Sequence, residues 1–274
     1  MANALTPTPS DVGTTKSMNN KKKITLDHIV YCVPDLHVAM DEIESKTGVR
    51  PIIGGKHVAL GTHNAFLSLG DDGSYLELFA PDPDATTLPV KSIIGVDSVA
   101  SSAAGTTANN KANVPKSRIT TYCCNAGNVG IDTLVSQLQQ HNQGDDTSNN
   151  YQKYYPSIIE SGSRKNDVDG TTISWKVAID KHSDVSYKEL PMGGLIPFFI
   201  DWGDCVSKRP GSTIAPKGCT MLKFTAYHPN PNQVKNVLEN IGYDVANILT
   251  SIEEGPEPKL VLTLQTPNGI VELS

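Results

Sequence analysis

Two residues in the first third of the chain carry most of the chemistry, His28 and Glu77, 49 positions apart. His28 lies in ITLDHIVYC, residues 24–32. In so apolar a run a histidine either satisfies one core hydrogen bond or serves a site. Glu77 lies in GSYLELFA, residues 73–80, where Tyr75 and Phe79 share its strand face and Leu76, Leu78 and Ala80 take the other. A strand apolar on both faces is buried on both faces. An unpaired carboxylate there would cost on the order of several kcal/mol, so Glu77 must be paired, protonated or metal-bound.

Other polar groups cluster at turns. KHVALGTHN, residues 56–64, holds His57, Thr62, His63 and Asn64. The two histidines would share a face of an unbroken strand, but Gly61 makes a bend or bulge there the expectation. Thr62 and Asn64 read either as pocket residues or as groups that satisfy hairpin backbone. Asp201-Trp202-Gly203 closes an apolar strand, as a capping turn with a buried indole or as a ligand contact.

The elements that would position these groups repeat. Residues 24–31 alternate as a strand, with Ile24, Leu26, His28 and Val30 on one face and Thr25, Asp27, Ile29 and Tyr31 on the other. Pro34-Asp35 opens a helix whose stripe is Leu36, Met40 and Ile43, and Gly48 stops it. The runs KHVALGT, NAFLSLG and GSYLELFA complete a βαβββ unit. Residues 221–274 repeat the plan: strand MLKFTAY, a cap at Pro229-Asn230, a stripe of Val234, Val237, Leu238 and Ile241, then three strands. Lys223 and Glu272 stand 49 positions apart in that unit, the His28–Glu77 spacing again. A looser copy begins with RITTYCC, residues 118–124.

Repeated βαβββ units resemble the vicinal oxygen chelate superfamily of glyoxalases, bleomycin-resistance proteins and extradiol dioxygenases. LDHIVYCVPDL, GGKHVALGTHNAFLSLG, GSYLELFAPDP, GGLIPFFIDWGD and AYHPNP are similar to its glyoxalase-like branch. The resemblance implies an α+β fold of curled mixed sheets enclosing a cleft, helices outside. It implies His28 and Glu77 as half of a metal site for Zn, Ni, Mn or Fe, with Glu77 also a base when displaced; a metal-free His28–Glu77 pair is the equal alternative. His57, Thr62, Asn64 and Asp201 would line the pocket. In the middle unit the matching ligand positions fall near Thr121 and Phe198, which are not ligands. In the last unit they fall on Lys223 and Glu272, which reads as a salt bridge at a vacated metal position.

The expected organisation is a disordered tail (1–23), a first module (24–81), a disordered insertion (82–117), a divergent second module (118–204), a linker (205–218) and a third module (219–274). Three modules leave one to pack on the side or complete a homodimer. Net charge −6 argues against a nucleic-acid partner, and no apolar run approaches the roughly 18 residues of a membrane span. The five cysteines include no C-x-x-C pair, which points to a reducing, cytoplasmic setting without disulfides. The expected activity is a metal-dependent lyase, isomerase or (di)oxygenase acting on a small carbonyl- or oxygen-rich metabolite. The alternative is a metal-free small-molecule-binding protein of the sequestration or resistance type.

Overall fold

The computed structural model describes residues 22–86, 94–96, 116–140, 151–165, 170–179 and 190–274. The expected tail up to residue 21 and most of the 82–117 insertion therefore lie outside the described residues. The first unit comprises β1 (Thr25–Cys32), α1 (Leu36–Thr47), β2 (Ile52–His57), β3 (Thr62–Ser68) and β4 (Tyr75–Pro81). The second comprises β5 (Arg118–Asn125), α2 (Ile131–Gln140), β6 (Ile158–Lys165), β7 (Thr172–Ile179) and β8 (Phe198–Asp201). After a short helix α3 (Pro210–Thr213) come β9 (Thr220–His228), α4 (Pro231–Ile241), β10 (Ser251–Glu254), β11 (Lys259–Thr266) and β12 (Gly269–Leu273).

The local chemistry explains the elements. Asp35 caps α1 by accepting from the Val38 N–H at 3.0 Å, and Gly48 closes the helix at φ +77°. Leu36, Ala39, Met40 and Ile43 bury its inner stripe. Asn230 caps α4 in the same way, accepting from the Gln233 N–H.

The first two units share one eight-stranded sheet, in the order β2-β3-β4-β1-β5-β8-β7-β6. Each unit pairs its first and last strands in parallel, β1 with β4 and β5 with β8, and the antiparallel β1–β5 contact joins them. One side of this sheet packs in the main core with α1, α2 and α4, through Ile29, Tyr31, Tyr122 and Cys124. The other side is concave. Smaller clusters line it: Val30, Cys32 and Phe79 with Val96; Cys123, Ile173, Ile200 and Trp202; and Phe66 and Tyr75 with Ala215.

The third unit forms its own four-stranded sheet, and its pairing departs from the first. β9 lies between β10 and β11, and β12 is at the edge, whereas in the first unit the last strand β4 sits beside β1. Phe224 of β9 meets Tyr122 of β5 edge-to-face at 5.2 Å, which docks this sheet on the core side.

The stretch expected as a linker, 205–218, instead folds over the concave face. A 3-10 turn (Gly203–Lys208) leads into α3, Ala215 packs on Phe66 and Tyr75, and the Pro216 carbonyl accepts from the Ser68 N–H at 3.0 Å. All five cysteines are free thiols, four buried and Cys205 half-buried. Among the described residues no helix is long and apolar enough to cross a membrane.

Residues 205–218 thus form a strap, which meets the turn between β3 and β4 at one glycine contact. A Cβ at Gly211 would stand 2.0 Å from the Gly73 carbonyl oxygen. Gly211→Ala should therefore lift the strap and destabilise the fold by about 1–3 kcal/mol. Urea unfolding of the two proteins measures it, and an unchanged midpoint would contradict this packing.

Candidate functional site

The site begins with a bulge. In the β1–β5 ladder Leu26 faces Cys124 and His28 faces Cys123, so Asp27 is an extra residue with no partner of its own. Strict alternation placed Asp27 on the face opposite His28. The bulge turns it inward, and the His28 Nδ1 stands 2.9 Å from the Asp27 Oδ1. On its other side the His28 Nε2 is 3.3 Å from the Glu77 Oε2. His28 thus spans two carboxylates, with the Tyr75 ring stacked on it at 4.9 Å and Phe198 edge-on at 5.6 Å.

Asp27 has no exposed surface, and its charge is met from across the fold. Its Oδ2 accepts from Trp202 Nε1 at 2.9 Å, Asn125 Nδ2 at 3.2 Å and Arg209 Nη1 at 3.2 Å. Arg209, on the strap, also donates to the Asp72 carbonyl and to Ser212 Oγ. Burial alone would raise the Asp27 pKa, but the His28 hydrogen bond and charge, then Arg209 and Trp202, hold it below its ordinary 3.8. Burial likewise works against protonating His28. The Asp27 hydrogen bond and the Glu77 charge outweigh it, so the imidazole pKa lies above 6.5.

A second arm leaves Glu77. Its Oε1 accepts from Asn64 Nδ2 at 2.5 Å, and the Gly55 N–H donates to Asn64 Oδ1 at 3.0 Å, which fixes the amide's orientation. The His57 Nδ1 lies 3.1 Å from the Thr62 Oγ1, and its ring stacks on Phe79. Burial pushes the His57 pKa below 6.5 despite the Glu77 charge. The expected bend is present: a 3-10 turn (Val58–Leu60) ends at Gly61 with φ +62°.

Two expected placements are corrected. Asp201 does not line the cleft. Its oxygens accept from the backbone N–H groups of Ile131, at the start of α2, and Gly203, and it pairs in register with Lys176, whose amine bonds Asp132 of α2. Lys223 and Glu272 form no salt bridge. Both stand opposite Thr263 on either side of β11, and both are exposed. The equal spacing misled because the third unit orders its strands differently, so a full strand separates the two residues.

Around His28 and Glu77 the described residues offer few further donors for a metal ion. The registers Val30↔Glu77 and Cys123↔Phe198 are equivalent, so Phe198 stands where a second carboxylate would. Thr121 similarly takes the His28 position, and burial raises the nearby Cys123 thiol pKa well above 9, which disfavours the thiolate a metal needs. Both ring nitrogens of His28 already face carboxylates. Among the described residues no group of three or more His, Cys, Asp or Glu side chains could hold an ion.

Asp27, Asn125, Arg209 and Tyr75 were not anticipated as site residues. The one available signal was an aspartate inside an otherwise apolar strand. Arg209 gave none, since it is 182 positions from its partner.

A family model described as a glyoxalase-like domain matches residues 26–242. No curated protein matches the chain. A crystal structure of a hypothetical protein from Staphylococcus aureus is similar at 14% identity and a TM-score of 0.55, covering 92% of this chain and 99% of that one. Methylmalonyl-CoA epimerase from Mycobacterium tuberculosis aligns at 14% identity over 65% of this chain and 85% of its own. Its TM-score is 0.31.

The ion network sets how stability depends on pH and on Arg209. The raised His28 pKa contributes stability that is full below pH 6.5 and lost as pH rises through the folded-state value. The lowered Asp27 pKa contributes stability that is full above pH 3.8 and lost as pH falls through its folded-state value. Melting temperature should therefore decline as pH is raised above 6.5, and His28→Gln should flatten that limb; equal slopes would contradict the assignment. Arg209→Met leaves the Asp27 charge buried without its cation and should cost about 3–5 kcal/mol, read from chemical unfolding at pH 7.

Proposed function

The chain belongs to the glyoxalase-like domain family, and on that premise we propose that it transfers a proton on a small carbonyl compound without needing a metal ion. The observation that carries this reading is His28 held between Asp27 and Glu77, at 2.9 and 3.3 Å. An imidazole whose pKa is raised, set next to a carboxylate, places an acid and a base side by side.

A substrate entering the concave face would part the His28–Glu77 contact. Glu77 then takes a proton from the carbon beside the carbonyl. The His28 Nε2–H donates to the oxygen on which negative charge develops. Return of the proton to the opposite face of that carbon, once the planar enolate has turned, gives an epimer. Return to the carbonyl carbon of an α-hydroxy substrate, with the hydroxyl proton passed by way of His28 to the other oxygen, gives an isomer. Both routes restore Glu77 and His28. Asp27 holds the His28 ring by Nδ1, which leaves Nε2–H aimed at Glu77, and Arg209 and Trp202 keep Asp27 ionised behind it. Asn64 holds the far oxygen of Glu77, so the other is the one that reacts. The apolar wall of Phe198, Ile200 and Trp202 excludes water and strengthens each of these interactions.

The test is carbon-bound proton exchange. Chelator-treated protein is incubated in D2O with a panel of α-hydroxy and α-methine carbonyl compounds, followed by NMR. Exchange should occur with wild type, be unaffected by added divalent ions, and fall about 100-fold or more in Glu77→Gln and His28→Gln. Exchange that appears only after a divalent ion is restored would establish the metal-dependent alternative. Compounds that bind but never exchange would establish the sequestration alternative.

A further inference from the structure

Arg164 stands on the edge strand β6, opposite Ile173 of the concave face, and is half-buried. The curl of the sheet carries it across the cleft. Its guanidinium carbon lies 5.8 Å from the centre of the Phe66 ring on β3, and Phe66 is the register partner of Glu77. Its positive charge is felt at the site, opposing protonation of His57 and favouring ionisation of Tyr75.

The other arginines whose ion pairs are resolved hold carboxylates: Arg50 pairs with Asp41 and Glu44, and Arg209 pairs with Asp27. Among the described residues no carboxylate lies within ion-pairing distance of Arg164, and its contact is the face of Phe66. The guanidinium thus stands over Phe66 at 5.8 Å without a carboxylate partner, and its planar fork of N–H donors is of the kind that takes a carboxylate with two parallel hydrogen bonds. Beside it runs an apolar wall: Ile173 buried, Trp175 half-buried, and the Trp175 ring 5.4 Å from that of Trp202. Gly162, the register partner of Trp175, makes room for that indole, since a Cβ there would meet it at 2.4 Å.

We propose that Arg164 binds the carboxylate of the substrate, which is a small 2-oxo or 2-hydroxy acid with an apolar side chain resting on Ile173 and Trp175. The carboxylate is then anchored across the cleft from Glu77, and the carbon that Glu77 deprotonates lies within a few bonds of it. This deepens the proton-transfer reading and rests on it for the carbonyl's place, but not for the anion at Arg164.

Calorimetry with the chelator-treated full chain tests it, using 4-methyl-2-oxopentanoate and its methyl ester as probes. Wild type should bind the acid about tenfold or more tightly than the ester, and added salt should weaken the acid alone. Arg164→Gln should abolish the preference without changing the ester's affinity, and Arg164→Lys should keep part of it. The melting curve of each variant controls for folding. Equal binding of acid and ester by wild type, a preference that survives Arg164→Gln, or no binding of the acid would each overturn the inference. The same pair of probes in D2O separates the two readings. Equal exchange of acid and ester refutes the Arg164 assignment and leaves proton transfer standing. An Arg164-dependent binding preference without exchange refutes proton transfer and supports the assignment.

Discussion

The structure turns on one buried charge. Asp27 has no exposed surface, and an ion in that position survives only if it is surrounded by donors. It collects four, from His28 on β1, Asn125 on β5, Trp202 after β8 and Arg209 on the strap. Two βαβββ units and the segment that follows them therefore meet at a single carboxylate. The position of His28 and the closure of the strap both follow from satisfying it.

The two units have diverged around this point. Their registers are equivalent, yet the first presents His28 and Glu77 to the cleft where the second presents Thr121 and Phe198. The result is a cleft with one polar wall and one apolar wall. Such a division suits a substrate with a reacting polar end and an inert one. The third unit is built differently. Its sheet docks on the helix-bearing side through Phe224 and Tyr122, away from the cleft, so its Lys223 and Glu272 are surface residues.

Much of the fold could be read from the chain, because hydrophobic period and caps at Asp35, Gly48 and Asn230 are local signals. The pairing of His28 with Glu77 was also within reach, since a carboxylate in a doubly buried strand demands a partner. Asp27 was misplaced because alternation assumes a ladder without insertions, and one bulge inverts a side chain. Lys223 and Glu272 were misplaced because equal spacing along a chain does not encode the order of strands in a sheet. Arg209 and Arg164 reach the cleft only through the curl of the sheet and the path of the strap. Nothing near them in sequence announces that.

The central claim is that His28 is clamped between two carboxylates that raise its pKa and, on the proposed function, works without a metal ion. Imidazole nitrogen NMR of the histidine-labelled protein measures this directly, with His28 assigned through His28→Gln. At pH 6.5 both His28 nitrogens should carry protons in most molecules, with hydrogen-bonded shifts that neither chelator nor added Zn alters. A neutral His28 at that pH, with an unprotonated Nε2 that moves on adding Zn, would contradict the account and restore His28 and Glu77 as metal ligands.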